Sequence, residues 1–206
     1  MTEADHPRAR AAAALRRLGH ALMSHEADEQ LLDRVARAAH QVASEVESGP
    51  PRRRDPVSLK QRMFDVDIPD GATFVHFDEC FVSGPWNPLG IGIEVHRDGD
   101  EVVADVTLGA AFEGAPGRSH GGIVSAIFDD VLGYLLTLLQ TPAFTGELQV
   151  RYLAATPIGQ PLSIRGRVLA QEGRKVYTHA EATADGEVVA TAEATFITID
   201  LARLRP

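Results

Sequence analysis

The sequence is short of several residue types, and each shortage excludes a class of protein. Its 206 residues include one cysteine, Cys80, which excludes an internal disulfide and a zinc cluster built from cysteines. Aromatic residues make up 6% and hydrophobic residues 44%, a composition typical of globular rather than disordered or collagen-like chains. No run approaches the roughly 18 apolar residues of a membrane span, and no secretory signal is recognised at the N-terminus. We therefore expect a cytoplasmic protein without a membrane span.

Basic side chains are also scarce. The sequence has 20 Lys and Arg against 29 Asp and Glu, which gives a net charge of −9. The whole deficit lies in residues 61–206, because residues 1–60 are nearly neutral. A chain this acidic is a poor binder of nucleic acid, so we predict no nucleic-acid partner.

Residues 1–48 predict an N-terminal helical extension of two amphipathic helices. Ser24 is a suitable N-cap for the second of them. The apolar faces of the two helices must pack on each other, on the main domain or on a second subunit. Residues 49–60 predict a linker, because three prolines and three arginines between Gly49 and Pro56 exclude a helix interior. The predicted apolar faces are Ala11, Leu15, Leu18 and Leu22 in the first helix, and Leu31, Leu32, Val35, Ala38, Ala39, Val42 and Val46 in the second.

Residues 61–206 predict one domain of class α+β, with an antiparallel sheet and one long helix. The helix, from about His120 to Gln140, is apolar around nearly its whole circumference, so a curved sheet must wrap around it. Asp185-Gly186 predicts a type I′ hairpin turn. The strands are predicted at Leu89–Arg97, Glu101–Leu108, Gly146–Leu153, Pro161–Gln171, Arg174–Ala184 and Glu187–Thr198.

Two adjacent acids, Asp129 and Asp130, interrupt this apolar helix. Adjacent helical residues point about 100° apart, so the two carboxyl groups cannot share one environment. Burying both as charges is costly without a purpose. We expect one to reach a cleft, and we interpret Asp130 as a surface or interface carboxylate paired with an arginine.

The helix opens with Arg118-Ser119-His120-Gly121-Gly122. Glycines let a ligand approach the backbone closely, and the free N–H groups at a helix N-terminus favour negative charge. These are the properties of an oxyanion hole. The alternative is that the two glycines only make the turn into the helix.

The stretch from Phe112 to Gly122, with Asp129 nine residues after His120, resembles the hotdog-fold acyl-CoA thioesterases. It is most similar to the phenylacetyl-CoA thioesterase branch and its related animal proteins. Cys80–Gly92 and Glu172–Lys175 are also similar to segments of that family, and the resemblance covers about residues 75–200. It implies the hotdog fold and hydrolysis of acyl-CoA thioesters to free acid and CoA.

The resemblance also implies roles for single residues. Asp129 would activate a water or attack the thioester itself, and the Gly121 N–H would bind the oxyanion. His120 would shape the turn, Gly122 would contact the substrate, and Thr145 would orient the water. Some family members use a side-chain amide six residues before the His, where this sequence has Gly114, so that contact is in doubt.

Helix geometry adds a prediction about assembly. Gly121 and Asp129 are eight residues apart, which is about 12 Å along one helix, so a single carbonyl cannot meet both. Two such helices crossing a two-fold axis would bring Gly121 of one subunit near Asp129 of the other. We therefore predict an obligate homodimer, with pairing of dimers into a homotetramer left open.

Coenzyme A is itself an anion, so an acidic domain needs local basic residues to hold its phosphates. We favour Arg174 and Lys175, with Arg151 and the arginines at 52–54 as further candidates. No histidine spacing indicates a metal site, and the group around His76, Asp78 and Glu79 is typical of a surface cluster. We predict no metal and no cofactor. Two alternatives stay open: a hotdog hydratase or dehydratase with His120 as base, and a non-catalytic acyl-CoA-binding module.

Overall fold

A computed structural model describes residues 6–53, 64 and 66–200. The second part of the predicted linker, residues 54–60, lies outside the described residues. The helices are α1 (Pro7–Ser24), α2 (Glu29–Glu47) and α3 (Gly121–Leu138). The strands are β1 (Glu94–Asp98), β2 (Glu101–Thr107), β3 (Glu113–Ala115), β4 (Arg118–Ser119), β5 (Ala143–Tyr152), β6 (Pro161–Glu172), β7 (Lys175–Ala184) and β8 (Glu187–Thr198).

Six strands form one antiparallel sheet in the order β1-β2-β6-β7-β8-β5. The predicted α+β class is confirmed, and so are the long helix and the four strands that follow it. The first strand begins at Glu94 rather than at Leu89, and the short hairpin β3–β4 was not predicted. Asp185 and Gly186 both have positive φ, of 51° and 80°, as the predicted type I′ turn requires. Strand β5 pairs only with β8, so it is an edge of the sheet.

Helix α3 packs against five strands, β2, β5, β6, β7 and β8, so the sheet wraps around it. Its buried side chains include Val124, Phe128, Val131 and Leu135. By length and composition alone, the 18 residues of this helix are enough to cross a membrane. The prediction that no segment approaches the length of a membrane span is therefore wrong. Here 56% of it is buried inside the fold, as expected of a core helix.

The sides of α3 that do not face the sheet have two different environments. Asp130 and Tyr134 face the loop around His76, which covers that side of the helix. Gly122, Ser125 and Asp129 lie on an accessible side at helical spacing. Because adjacent helical residues point about 100° apart, the Asp129 carboxyl group is exposed while that of Asp130 is buried.

A bulge at Val189 changes which face of β8 is buried. The register shifts opposite Ala182 and Thr183, and Val189 is buried while Val188 is 38% exposed. Regular alternation would put Val188 on the same face as Ala190, but the bulge breaks that pattern at the start of the strand. From Ala190 to Phe196 regular pairing resumes, and alternate residues are buried.

Helix α1 docks on the domain through a face that the leucine pattern did not indicate. Its buried residues are Ala9 and Ala12, whereas the predicted Leu15, Leu18 and Leu22 are exposed. Polar contacts explain the difference. The Arg16 guanidinium donates to the carbonyls of Pro85 and Asn87, at 3.3 and 2.7 Å, and the ring of His6 stacks on Trp86.

His20, further along α1, contacts the segment that precedes the glycine motif of α3. Its Nδ1 accepts a hydrogen bond from the Ala111 N–H at 3.1 Å, and its ring meets Phe112 edge-on. Burial and the nearby Arg16 charge lower the pKa of His20, which favours the neutral ring that can accept this bond. The N-terminal extension is thus tied to the segment that leads into the glycine motif.

Helix α2 has a different N-cap from the predicted one. Asp28 accepts from the Leu31 N–H at 2.7 Å, while Ser24 is the last residue of α1. None of the residues of α2 is buried against the described part of the chain. Within those residues, only α1 of the two predicted helices packs on the main domain.

The docking of α1 depends on Gly109, because a Cβ there would lie 2.5 Å from Nδ1 of His20. We expect Gly109→Ala to displace α1, seen as faster amide hydrogen exchange across α1. Gly19→Ala is the matched control, since its Cβ meets nothing within 4 Å and alanine favours the helix by about 0.8–1 kcal/mol. Equal protection of α1 in the two variants would contradict this docking.

Candidate active site

His120 is the N-cap of α3. Its backbone is extended, with φ −64° and ψ 130°, and its Nδ1 accepts from the Gly122 N–H at 2.9 Å. Its carbonyl accepts from the Ile123 N–H at 2.9 Å. Gly122, predicted to contact substrate, therefore gives its N–H to the cap. The Gly121 N–H, as the first of the helix, has no intrahelical partner.

Tyr152 holds the first turn of α3 from the edge strand β5. Its hydroxyl donates to the Gly121 carbonyl at 2.8 Å and lies 2.7 Å from Oγ of Ser125, which then donates to it. A Cβ on residue 121 would come 3.2 Å from the Tyr152 hydroxyl. The small size of Gly121 therefore leaves room for this tyrosine against the first turn of α3.

Gly114 departs from the family pattern for a physical reason visible here. A Cβ at residue 114 would lie 2.7 Å from Cα of His120, closer than real side chains come. The β3–β4 hairpin thus packs directly on the N-cap, and the His120 N–H donates to the Phe112 carbonyl at 2.8 Å. A side-chain amide at this position does not fit this chain.

Thr145 lies beside Asp129. The Thr145 hydroxyl donates to Oδ1 of Asp129 at 2.8 Å, although 16 residues separate them, and both side chains are exposed. The pairing of β5 with β8 shifts directly after Thr145, at Gly146, whose Cβ would meet Ile197 at 2.9 Å. Bulges of this kind direct a side chain out of the regular sheet pattern.

Asp130 is buried on the loop side of α3, 9% exposed, and pairs with a histidine instead of the expected arginine. Nε2 of His76 lies 3.1 Å from Oδ1 of Asp130, and the Cys80 thiol donates to the same oxygen at 3.0 Å. The ring of His76 stacks on Tyr134 at 3.8 Å. His76 is thus not part of a surface cluster, and sequence reasoning missed this buried group.

The environment of this group shifts its acidities. Burial pushes the pKa of Asp130 upward, but the hydrogen bond and charge of His76, with the Cys80 hydrogen bond, outweigh it and lower that pKa. Burial and the Asp130 charge raise the pKa of the Cys80 thiol and of Tyr134. The group is therefore a buried carboxylate with His76 and the Cys80 thiol against the same oxygen.

Arg174 and Lys175 stand at the turn from β6 to β7, not against Asp129. The Arg174 guanidinium donates to the Thr198 carbonyl at 3.0 Å. Lys175 pairs with Ile197, and Ile197 pairs with Phe144, the neighbour of Thr145. Alternation puts the Lys175 side chain on the sheet face opposite Thr145, at the same end of the sheet. Of the other candidates, Arg151 is exposed on β5 and Arg52 pairs with Glu79.

Comparison with known proteins relates this fold to proteins already described. Residues 117–191 match the family model described as the thioesterase superfamily. A crystal structure described as a thioesterase superfamily protein is 26% identical, with a TM-score of 0.78 over 94% of this chain and 96% of that one. These matches make the segment at residues 117–191 similar to the thioesterase superfamily, and the structural likeness extends over most of the chain. The predicted hotdog fold is confirmed, and the likeness to that structure takes in the N-terminal helices as well.

Two further similar proteins are more distant or shorter matches. The Xenopus laevis acyl-coenzyme A thioesterase THEM4 is 32% identical over 93 residues, which is 45% of this chain. The chain spans 42% of that protein's length. The Escherichia coli PaaI protein from the phenylacetic acid degradation operon is 18% identical, with a TM-score of 0.50 over 52% of this chain and 83% of its own. It shares the fold.

Proposed function

We propose that this protein hydrolyses acyl-CoA thioesters to a free carboxylic acid and CoA. The observation that carries the proposal is the pairing of an exposed carboxylate, Asp129, with Thr145, on the helix whose N-terminus presents Gly121. The relative named an acyl-coenzyme A thioesterase supports the substrate class. We retain a cytoplasmic location as part of this proposal.

Asp129 acts as the general base or the nucleophile. An exposed carboxylate is open to both water and substrate, and Thr145 fixes its Oδ1 through a 2.8 Å hydrogen bond. Oδ2 then takes the proton of the attacking water, or attacks the carbonyl carbon itself. In the first case the Thr145 hydroxyl orients both the carboxylate and the water.

Gly121 stabilises the negative charge that develops on the thioester oxygen. Its N–H lies at the positive end of the α3 dipole, and the helix leaves it without a partner. The neighbouring Gly122 N–H is hydrogen-bonded to Nδ1 of His120, so the Gly121 N–H is the one that stays available for the oxyanion. Donors fixed in advance stabilise a transition state without reorganisation during the reaction.

The two groups act together across a homodimer interface. Gly121 and Asp129 lie on the same helix, about 12 Å apart along its axis, so one carbonyl cannot meet both within one subunit. The accessible side of α3 carries small residues, Gly122, Ser125 and Ala126, which let a second α3 approach closely. Strand β5 is an edge of ten residues, and an edge this long is a template for pairing with another strand. Both features support an antiparallel two-fold partner.

The alternatives are separated by product analysis on saturated and crotonyl-type thioesters. We expect free thiol to be released from a panel of saturated short-chain, saturated long-chain and aromatic acyl-CoAs. The relative rates then show which acyl group the enzyme prefers. A hydratase with His120 as base would act only on the double bond and release no thiol. A binding module would retain acyl-CoA and leave the thioester intact. Here Nδ1 of His120 accepts from Gly122, which disfavours that atom as the base.

We expect replacement of both Arg174 and Lys175 by alanine to raise KM about tenfold, with kcat nearly unchanged. The physical reason is that these cations would bind CoA phosphates away from the reacting carbonyl, so they contribute equally to substrate and transition-state binding. Steady-state kinetics with a soluble acyl-CoA measure the two constants. Arg165→Ala is the control, since Asp98 and Glu101 hold that guanidinium near the other edge of the sheet. A loss confined to kcat would contradict the assignment.

A further inference from the structure

The buried group behind α3 contains three different metal-binding side chains. His76 offers Nε2, Cys80 offers Sγ and Asp130 offers a carboxylate, and these ligand atoms all lie within 4.8 Å of one another. Zinc bonds to such ligands measure about 2.0–2.3 Å, so one ion between them needs only small side-chain movements. The three residues come from the loop before β1 and from the middle of α3.

Two atoms of the group are left without partners by the described residues. Oδ2 of Asp130 and Nδ1 of His76 are buried and make no hydrogen bond of normal geometry there, although the Ser83 hydroxyl lies near Asp130. Both side chains are 9% exposed, so water does not readily satisfy them from outside. An unpaired buried carboxylate oxygen is costly, and ligation by a cation removes that cost.

Contrary to the prediction of no metal made from the sequence, we propose that His76, Cys80 and Asp130 form a binding site for one divalent transition-metal ion, with zinc the best fit. A mixed nitrogen, sulfur and oxygen donor set suits zinc rather than magnesium or calcium, which take oxygen ligands. The thiolate and the carboxylate together neutralise the dication inside the fold. Three protein ligands leave a fourth position for water or a small ligand.

Metal binding displaces protons from the ligand atoms. The Cys80 thiol, which donates to Asp130, loses its proton to solvent and forms the metal–sulfur bond. The His76 proton on Nε2 moves to Nδ1, which frees the Nε2 lone pair for the ion. The metal then crosslinks the loop at residues 76–80 to α3 beside Asp129, which goes beyond the proposed hydrolysis and does not depend on it.

Cobalt titration of the chelator-treated full-length protein tests the site. We expect one Co²⁺ per chain, a thiolate-to-cobalt charge-transfer band in the near ultraviolet, and loss of that band when Zn²⁺ is added. Because Cys80 is the only cysteine, the band reports on this thiol alone. Absence of the band at saturating Co²⁺ would overturn the proposal.

Variants and labelling complete the test. Cys80→Ser and Asp130→Asn should abolish the band, whereas His179→Gln should retain it, since His179 pairs with Glu181 in a site without a cysteine. Zn²⁺ should also slow the reaction of wild-type Cys80 with a thiol reagent at least tenfold, a readout that needs no variant. A band that survives in Cys80→Ser, or labelling that Zn²⁺ leaves unchanged, contradicts the site.

Discussion

Asp129→Asn is expected to lower kcat for acyl-CoA hydrolysis about 10³-fold while leaving KM within a few-fold. The amide keeps the size of the side chain and accepts the hydrogen bond from Thr145, so the local structure is preserved. It cannot take a proton from water or attack a carbonyl at neutral pH. The loss therefore falls on the chemical step, which thiol release under substrate saturation measures directly.

Two further variants make this result specific. Asp185→Asn removes a carboxylate in the β7–β8 turn, where asparagine also tolerates positive φ, and it should leave kcat unchanged. Asp130→Asn changes the neighbouring acid, which is buried against His76 and out of reach of the substrate. Normal turnover in Asp129→Asn together with its abolition in Asp130→Asn would transfer the catalytic role to the buried carboxyl group.

The fold was predictable because its strongest signals are local. A helix that is apolar on all sides must be buried, and an Asp-Gly pair between alternating segments fixes a hairpin. These patterns gave α3 and the β7–β8 turn without knowledge of any long-range contact. The start of β8 departs from regular alternation at Val189, since a bulge is set by the partner strand and leaves no mark in the sequence pattern.

The docking face of α1 was not predictable from its leucines. Two alanines, an arginine and a histidine make the contact, and Arg16 and His20 bind backbone groups more than 65 residues away in sequence. A count of apolar positions gives no weight to such contacts. The exposed Leu15, Leu18 and Leu22 show that apolar periodicity indicates a helix more reliably than it indicates which face is covered.

In the candidate site, too, local relations were predictable and long-range contacts were not. His120, Gly121 and Asp129 lie at one helix, so motif spacing was enough to relate them. Thr145 was named from the family resemblance, and its hydroxyl lies 2.8 Å from Asp129 in the structure. The pairing of His76 with Asp130 joins residues 54 positions apart. The one sequence signal for it was an acid inside an apolar helix, which indicates a buried partner but does not identify that partner.

Gly121→Pro is expected to lower kcat about 10²–10³-fold without disturbing α3. Proline at the first helical position is favoured, and it removes only the N–H that the oxyanion requires. The preceding His120 already has the extended backbone that a following proline demands, with ψ 130°. Gly121→Ala is the matched control, because it adds the same Cβ contact with Tyr152 but keeps the N–H. Similar activity in the proline and alanine variants would remove Gly121 from the mechanism.

Co-expression of a Gly121→Pro chain with an Asp129→Asn chain tests whether each active site is built from both subunits of the dimer. In a mixed dimer, one site has an intact Gly121 from the Asp129→Asn chain and an intact Asp129 from the Gly121→Pro chain. The other site has both defects. Random pairing makes about half of the dimers mixed, so co-expression should restore about a quarter of wild-type activity. If each site were built within one subunit, every site would carry one defect and co-expression would restore nothing. Recovery therefore requires that Gly121 and Asp129 of different chains meet at one carbonyl, because α3 holds them too far apart within a single chain.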